Sequence, residues 1–531
     1  MKSVSRLLEK TAFHPILLGL YPVLFLWLNN IDQIPFYAIL RSLLFSVGLV
    51  CIVYFISRLI FHPALKAAIF ASFILILFFT FGHTSGFLDD VKVLGVVVGR
   101  IRYFSLLWFI LFLVGTVFIW RAKSDFQALT RTLNLVSLLL IAILLIQVAL
   151  LELNTQEMLA RETPKSNVKL QTPGTDFNGR DVYYIVLDSY GRQDVLQDDY
   201  GLDNHVFIQA LTDLGFVIPN CTLGNYDNTP FSLTASLNMN YLEELGISID
   251  SSAKNINTRA FWGYLKKSLV RKQFEDMGYK IVAFKTIYPF IDITDADYYF
   301  DLEKTTGQLN KLESLNFQYM FFRTTLLRSV IDTQIAYPDL FTKIPPALLG
   351  LINPKASVFS SRHYQQYEQN RYALDSLQKI PDMPGKKFVY AHLFITHQPF
   401  VFTPDGKFRW PVLDDSKAYR DQILYADTII PEIIKSILKK STIPPIIIIQ
   451  GDHSYTWSQD RNKILNAYYL PDGGYSKLYP SITPVNTFRL VFDTYFSGDY
   501  KLLPDIAYYS RNERPYDFKV LPTTCMETSG K

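Results

Sequence analysis

Through the first 151 positions apolar residues run almost without interruption, whereas from position 181 they come in short runs separated by amphipathic stretches. Five of the early runs reach the roughly 17–25 residues that a helix needs to cross a bilayer. They are Ala12 to Ile31, Ile34 to Ser57, Ala67 to Leu88, Tyr103 to Trp120 and Thr132 to Leu151. Four hold no Asp, Glu, Lys or Arg, and the second holds only Arg41, close enough to its end to snorkel to the interface. A signal peptide would be one shorter run before a small-residue cleavage site, so the pattern predicts five membrane-spanning helices. Basic residues set their orientation. With a cytoplasmic N-terminus the inside segments carry Lys2, Arg6, Lys10, Arg58, Lys66, Arg121, Lys123 and Arg131, against Lys92, Arg100 and Arg102 outside. An odd number of spans then puts the chain beyond Leu151 outside the plasma membrane. VKVLGVVVGRIR (91–102) is too short and too charged to span, and is expected to lie at the external interface as a re-entrant or surface segment.

The polar, Pro- and Gly-containing stretch 152–180 reads as a linker. Beyond it, DVYYIVLD (181–188), KIVAFKT (280–286), KFVYAHLF (387–394) and PPIIIIQGD (444–452) are continuous β-branched and aromatic runs, as in strands buried on both faces. Helical stretches such as 205–215 and 426–440 alternate with them, which predicts an α/β domain with a mainly parallel central sheet. The expected organisation is a five-helix transmembrane domain (1–151), a linker (152–180), an α/β domain (181–500) and a C-terminal extension (501–531). Leu302 to Pro354, with FQYMFFRTTLLRS (317–329), reads either as a helical insertion on the membrane surface or substrate groove or as part of the core.

Composition narrows the function. The chain has 531 residues, 49% hydrophobic and only 19% charged, which excludes a simple cytosolic enzyme. A net charge of +4 without any basic run argues against nucleic acid as a partner. Of three cysteines, Cys51 lies in an apolar run, so the one available intrachain bridge is Cys221 to Cys525.

In parallel α/β sheets, ligands sit beyond the carboxyl ends of the strands. The first predicted strand ends in Asp188, the third carries His392 and runs into His397, and the fourth ends in Gly451, Asp452 and His453. Each acid alone reads equally as a helix cap and each histidine as a surface residue. Together they offer oxygen and nitrogen ligands to a divalent cation, and two carboxylates brought close call for one between them. Thr229, directly before Pro230, opens a predicted helix like an N-cap, where amides and the helix dipole attract an anion. A metal would turn this capping threonine into a nucleophile, with Ser232 and Thr234 as nearby alternatives.

The ordered set of Asp188, Thr229, His397 in HQPF and Asp452-His453 resembles the alkaline phosphatase superfamily in its sulfatase-like branch. The membrane helices ahead of it resemble the plan of lipoteichoic acid synthases and lipid A phosphoethanolamine transferases. The resemblance implies an alkaline-phosphatase/sulfatase-like fold over about 181–496, with Asp188, Thr229, Asp452 and His453 as metal ligands. It implies Thr229 as nucleophile, and His397 as holder of the phosphate or proton donor to the leaving group. His392, Arg192 and Trp457 are expected substrate contacts. The sulfatase motif C/S-x-P-x-R is absent, and Asp188 is followed by Ser189 rather than a second acid, which disfavours sulfate-ester hydrolysis.

The expectation is therefore a membrane-anchored, metal-dependent hydrolase or transferase of the cell envelope, with Zn, Mn or Mg as cofactor. It would pass a phosphoryl-type group from a lipid-linked donor through a threonine-bound intermediate, with membrane lipids and a lipid-linked or glycan substrate as partners. A sulfatase or phosphodiesterase acting on envelope glycans, and a catalytically inactive envelope binding protein, are the alternatives. A transporter is disfavoured because the spans lack paired acids and bases.

Overall fold

The computed structural model describes residues 8–31, 34–88, 91–93, 96–97, 101–160, 179–302, 305, 311–336, 355–409 and 414–525. Two compact units result, Met1–Asn154 with Gln308–Arg362, and Thr155–Gly307 with His363–Lys531.

The first unit is helical: α1 (His14–Leu28), α2 (Leu40–Ile60) after a 3-10 turn at Phe36–Ile39, α3 (Ala64–Phe87), α4 (Ile101–Arg121) and α5 (Gln127–Ala160). Among the described residues, four helices are long and apolar enough to cross a membrane: Phe36–Ile60, Ala64–Phe87, Tyr103–Arg121 and Gln127–Leu153. The expected first span is a correction. As a helix it covers 15 residues, a rise of about 22 Å against a hydrocarbon core of about 30 Å. It stops because Asn29 and Asn30 turn their side-chain amides back onto the carbonyls of Phe25 and Leu26. Within 91–102, Lys92–Val93 and Val96–Val97 pair as a small antiparallel ribbon before α4 begins.

The second unit begins with β1 (Val182–Leu187), α6 (Gln193–Tyr200), α7 (His205–Asp213), α8 (Thr229–Asn238), α9 (Trp262–Lys266), α10 (Leu269–Asp276), β2 (Lys280–Phe284) and β3 (Tyr298–Phe300). The chain then contributes a hairpin, α11 (Lys311–Arg323) and α12 (Leu327–Ala336), to the first unit. It returns through α13 (Lys355–Leu377), β4 (Lys387–Leu393), α14 (Asp415–Lys440), β5 (Ile446–Gln450), β6 (Asn466–Tyr469) and α15 (Pro484–Tyr495), and ends in β7 (Ala507–Arg511) and β8 (Arg514–Leu521). Six strands form one sheet in the order β3-β2-β4-β1-β5-β6, parallel except where β6 meets β5. The alternation of side chains sends Val182, Tyr184 and Val186 into a core beneath α8, α10 and α15, and Tyr183, Ile185 and Leu187 into a second core beneath α7, α13 and α14. Both faces are covered, so the central strands are mostly apolar.

The stretch predicted as an extension from 501 is integral to this unit as far as it is described. β7 and β8 pair antiparallel, Tyr516 and Phe518 pack on Phe231 of α8, and Cys525 is bonded to Cys221. Of the predicted linker, residues 161–178 lie outside the described residues.

Of the insertion predicted over 302–354, residues 303–304, 306–310 and 337–354 lie outside the described residues, and 311–336 join the helical unit. Phe317, Phe321, Phe322 and Ile331 close a core with Val23, Val50, Leu75 and Phe79. The turn between α11 and α12 stitches into α3: the Gly82 amide donates to the Thr324 carbonyl (3.0 Å) and the Leu326 amide to the Phe78 carbonyl (2.8 Å). Gly82 permits this approach, since a Cβ there would meet the Arg323 carbonyl oxygen at 2.2 Å.

Candidate active site

Parallel pairing of β4, β1 and β5 brings three strand exits side by side, and Asp188, His392 and Asp452 meet there, all buried. Gly451 allows the close fit. A Cβ at that position would lie 2.2 Å from the Tyr190 carbonyl oxygen, so any other residue would push the β5 exit away from the β1 exit. Between the two acids sits Ser189, a non-glycine residue in the left-handed region at φ 66°. Its amide donates to Asp452 Oδ1 (3.0 Å) and its hydroxyl to Asp188 Oδ1 (2.9 Å), so this unusual backbone ties the two carboxylates together.

Thr229 is the first residue of α8, with Asn228 rather than Thr229 at the cap position and Pro230 second. Its hydroxyl donates to Asp452 Oδ2 at 2.7 Å. His453 Nε2 lies 3.8 Å from Asp452 Oδ2 and 3.9 Å from Asp188 Oδ1, while its Nδ1 is 3.0 Å from the Ser454 carbonyl. The bond to that carbonyl places the ring proton on Nδ1 and leaves the Nε2 lone pair facing the acids. His397 Nε2 also lies 3.9 Å from Asp188 Oδ1, and its ring is partly exposed. The predicted set Asp188, Thr229, His397, Asp452 and His453 is thus assembled in one place.

Electrostatics bear on which groups are charged. Burial pushes the Asp188 carboxyl up, but the imidazoles of His397, His392 and His453 outweigh it and hold it below the usual carboxylate range. Burial, reinforced by Arg461, lowers the His453 imidazole and favours the neutral form that binds metals. Arg461, on the loop after His453, reaches the site: Nη2 is 3.4 Å from His453 Nε2, and Nε donates to the Asp227 carbonyl (2.6 Å). The Asp227 carboxylate, raised by burial, accepts from the Ser510 amide (3.0 Å) and so ties β7 to the Thr229 loop.

Two donor sets compete for a cation. Asp188, Thr229, Asp452 and His453 offer separations of 2.7 to 3.9 Å where they are closest. Tetrahedral coordination at about 2.0–2.2 Å implies ligand separations of about 3.3–3.6 Å, so this set fits with small adjustments. Asp188, His392 and Asp452 also cluster, with ligand atoms within 4.8 Å of one another. We favour the first set because His392 Nε2 is already 2.9 Å from Asp188 Oδ2, while its buried Nδ1 has no hydrogen-bond partner among the described residues. With a proton on Nε2, His392 donates to the Asp188 carboxylate, the kind of hydrogen bond that supports a metal-ligating acid.

The expected substrate contacts fare differently. His392 is buried and turned to Asp188, so it is not a contact. Arg192 is buried away from the site: it pairs with Asp194 (2.8 Å) and donates to the carbonyls of Thr222 (3.2 Å) and Thr524 (2.8 Å), fastening the C-terminal segment beside the Cys221–Cys525 bridge. Four of its five N–H donors are engaged in this way. Trp457 is exposed at 67%, with the Arg461 guanidinium 5.2 Å from its ring centre. Tyr190 is buried and donates to Asp427, whose carboxyl burial raises to about 7. Sequence reading missed Ser189, Asp227 and the part played by His392, whose roles rest on backbone conformation and strand register.

No protein-family model and no curated protein matches the chain. Solved structures do. The C-terminal periplasmic domain of EcEptC from Escherichia coli matches at 12% identity and TM-score 0.39, over 66% of this chain and 94% of that one. The integral membrane lipooligosaccharide phosphoethanolamine transferase A (EptA) from Neisseria meningitidis matches at 12% identity and TM-score 0.37, over 91% of this chain and 96% of that one. The lipoteichoic acid synthase LtaP from Listeria monocytogenes matches at 13% identity and TM-score 0.33, over 67% and 83%.

Proposed function

We propose that this chain is a membrane-anchored, metal-dependent phosphoryl-type transferase or hydrolase of the cell envelope, working on the outer side of the plasma membrane through Thr229. The observation that carries the reading is the Thr229 hydroxyl, at the start of α8, bonded at 2.7 Å to Asp452 within reach of Asp188 and His453. Those four residues would hold a divalent cation. Bound there, it would supply Lewis-acid stabilisation of negative charge.

The residues of the chain divide the remaining work. Thr229 Oγ1 attacks phosphorus as its proton leaves along the existing bond to Asp452 Oδ2. The threonine-to-phosphorus bond forms as the bond to the leaving alcohol breaks. His397, partly exposed beside Asp188, gives the departing oxygen its proton and later takes one from the acceptor hydroxyl. That second attack breaks the threonine ester and restores Thr229. Arg461, rigidly held by the Asp227 and Thr456 carbonyls, supplies a fixed positive charge for the phosphoryl oxygens. A lipid or glycan hydroxyl as acceptor makes the reaction a transfer, and water makes it hydrolysis.

The location is supported from within each unit. The Cys221–Cys525 bridge suits an oxidising compartment. Glu9 pairs with Arg131 and Asn134 donates to the carbonyls of Leu8 and Thr11, so the N-terminal segment lies at the start of α5, the end remote from the connection to the α/β domain. That arrangement supports a cytoplasmic N-terminus.

Metal analysis of the purified chain, beside Asp188→Ala and Asp452→Ala, tests the centre, and a peptide-mass search for phosphorylated Thr229 tests the intermediate. About one ion per chain, lost in both variants, together with phosphate on Thr229 after exposure to phosphodiester donors, is expected. A folded protein that takes up no divalent metal, or turns over donors with Thr229 replaced by Ala, would overturn the reading.

A further inference from the structure

We propose that Arg323, at the end of α11, is a binding site for the phosphate of a membrane phospholipid, separate from the catalytic centre. Its guanidinium is held by one edge only: Nη1 lies 2.8 Å from Asp332 Oδ1, and the side chain is 34% exposed. Asp332 is itself fixed, since its Oδ2 faces Arg328 Nε at 3.3 Å, and Arg328 Nη1 donates to the Gly82 carbonyl of α3 at 3.0 Å. A relay from the α3 backbone through Arg328 and Asp332 therefore orients Arg323, whose Nε and Nη2 make no other bond among the described residues. An arginine fork held in place with an edge to spare is the geometry that takes two oxygens of a phosphate.

The surroundings identify where that phosphate resides. α11 packs against the 3-10 turn Phe36–Ile39, where Phe36 is 52% exposed and its ring lies 5.3 Å from that of Trp27. Exposed aromatics flanking long apolar helices mark the interfacial layer, the level of lipid headgroups. Beside Arg323 the chain exposes Leu326, and Phe321, Phe322 and Ile331 form an apolar floor. A cation at headgroup level above apolar surface matches a glycerophospholipid, whose phosphate it would hold while the acyl chains lie along the helices. A soluble phosphate would gain nothing from the apolar half.

The test uses the full chain in a neutral maltoside detergent, titrated with dioctanoyl phosphatidylglycerol, dioctanoyl phosphatidylethanolamine and, without phosphate, dioctanoylglycerol. Both phospholipids are expected to bind and dioctanoylglycerol not to. Arg323→Gln should weaken both by about tenfold with unchanged melting, and Arg323→Lys, which keeps the charge without the fork, by less. Equal binding of dioctanoylglycerol, or undiminished affinity in a folded Arg323→Gln, would overturn the proposal. So would complete displacement of the lipids by millimolar inorganic phosphate, which would mark a free-phosphate site. Arg323 lies outside the residues assigned to catalysis, so this outcome is independent of the fate of the Thr229 mechanism.

Discussion

His392 carries the sharpest choice at the level of single residues. Its ring sits on the parallel register of β4 with β1, opposite Val186, and reaches Asp188 Oδ2 at 2.9 Å. As the donor that orients Asp188, it can be replaced by another donor. As a metal ligand, it cannot be replaced by an amide without loss. His392→Leu is therefore expected to weaken divalent-metal affinity by about 10–100-fold, while His392→Gln, which can still donate to Asp188, should keep most of it. Competition with a chromophoric chelator measures both. Equal loss in the two variants would make His392 a ligand and favour the alternative cluster. The sequence made Asp188, Thr229, His397, Asp452 and His453 legible because strand exits and a helix start are local features. It could not assign His392, because which way a strand residue faces depends on its neighbours' register. Arg192 failed for a related reason: its partners, Thr222 and Thr524, lie far along the chain from it.

At the level of elements, the three parallel strands that position the site, and β2 beside them, stood out as continuous apolar runs, and the sheet shows why: both of its faces are covered by helices. The edge strand β3, three residues long, and the β7–β8 hairpin carry too little pattern to separate them from loops, and tertiary packing decides them. The length of α1 was also hidden, because hydropathy counts apolar residues while Asn29 and Asn30 end the helix by bonding its carbonyls. Gly451 connects these scales. The β5 exit passes so close to the β1 exit that a methyl group at 451 would sit 2.2 Å from the Tyr190 backbone. Since neither partner is a flexible side-chain end, the two strand ends must separate. Gly451→Ala should destabilise the protein by about 1–3 kcal/mol and weaken metal binding as well, because Asp188 and Asp452 ride on those ends. Thermal melting and chelator competition on the same preparation check this. A variant with wild-type melting and metal affinity would mean that the exits can part without disturbing the acids.

For the whole molecule, the proposed sidedness of the helices can be followed along the connectivity as well as through residue counts. α5 runs on toward the α/β domain, so its end, the start of α4 and the end of α3 share one side if α3, α4 and α5 all cross. The α11–α12 hairpin, inserted in sequence between β3 and α13, bonds to α3 at Phe78 and Gly82, in its C-terminal half. It therefore reaches the same end of α3 that the connection through α5 predicts. At the other end, Glu9 meets Arg131 and the His14 amide meets Asn134 at the start of α5, while Trp27, near the far end of α1, joins the core that contains Phe317 and Phe321. The 15-residue α1 thus runs from one end of the bundle toward the other, the direction that the proposed cytoplasmic N-terminus requires of it. With Cys51 replaced by Ser and the other two cysteines bonded, single cysteines report the arrangement directly. Lys92→Cys should react with a membrane-impermeant maleimide in intact cells, and Lys123→Cys only after permeabilisation. The reverse pattern would place the disulfide-bonded domain in the cytoplasm, a reducing compartment where the Cys221–Cys525 bridge would not persist. Labelling at both positions in intact cells would show that α4 does not cross.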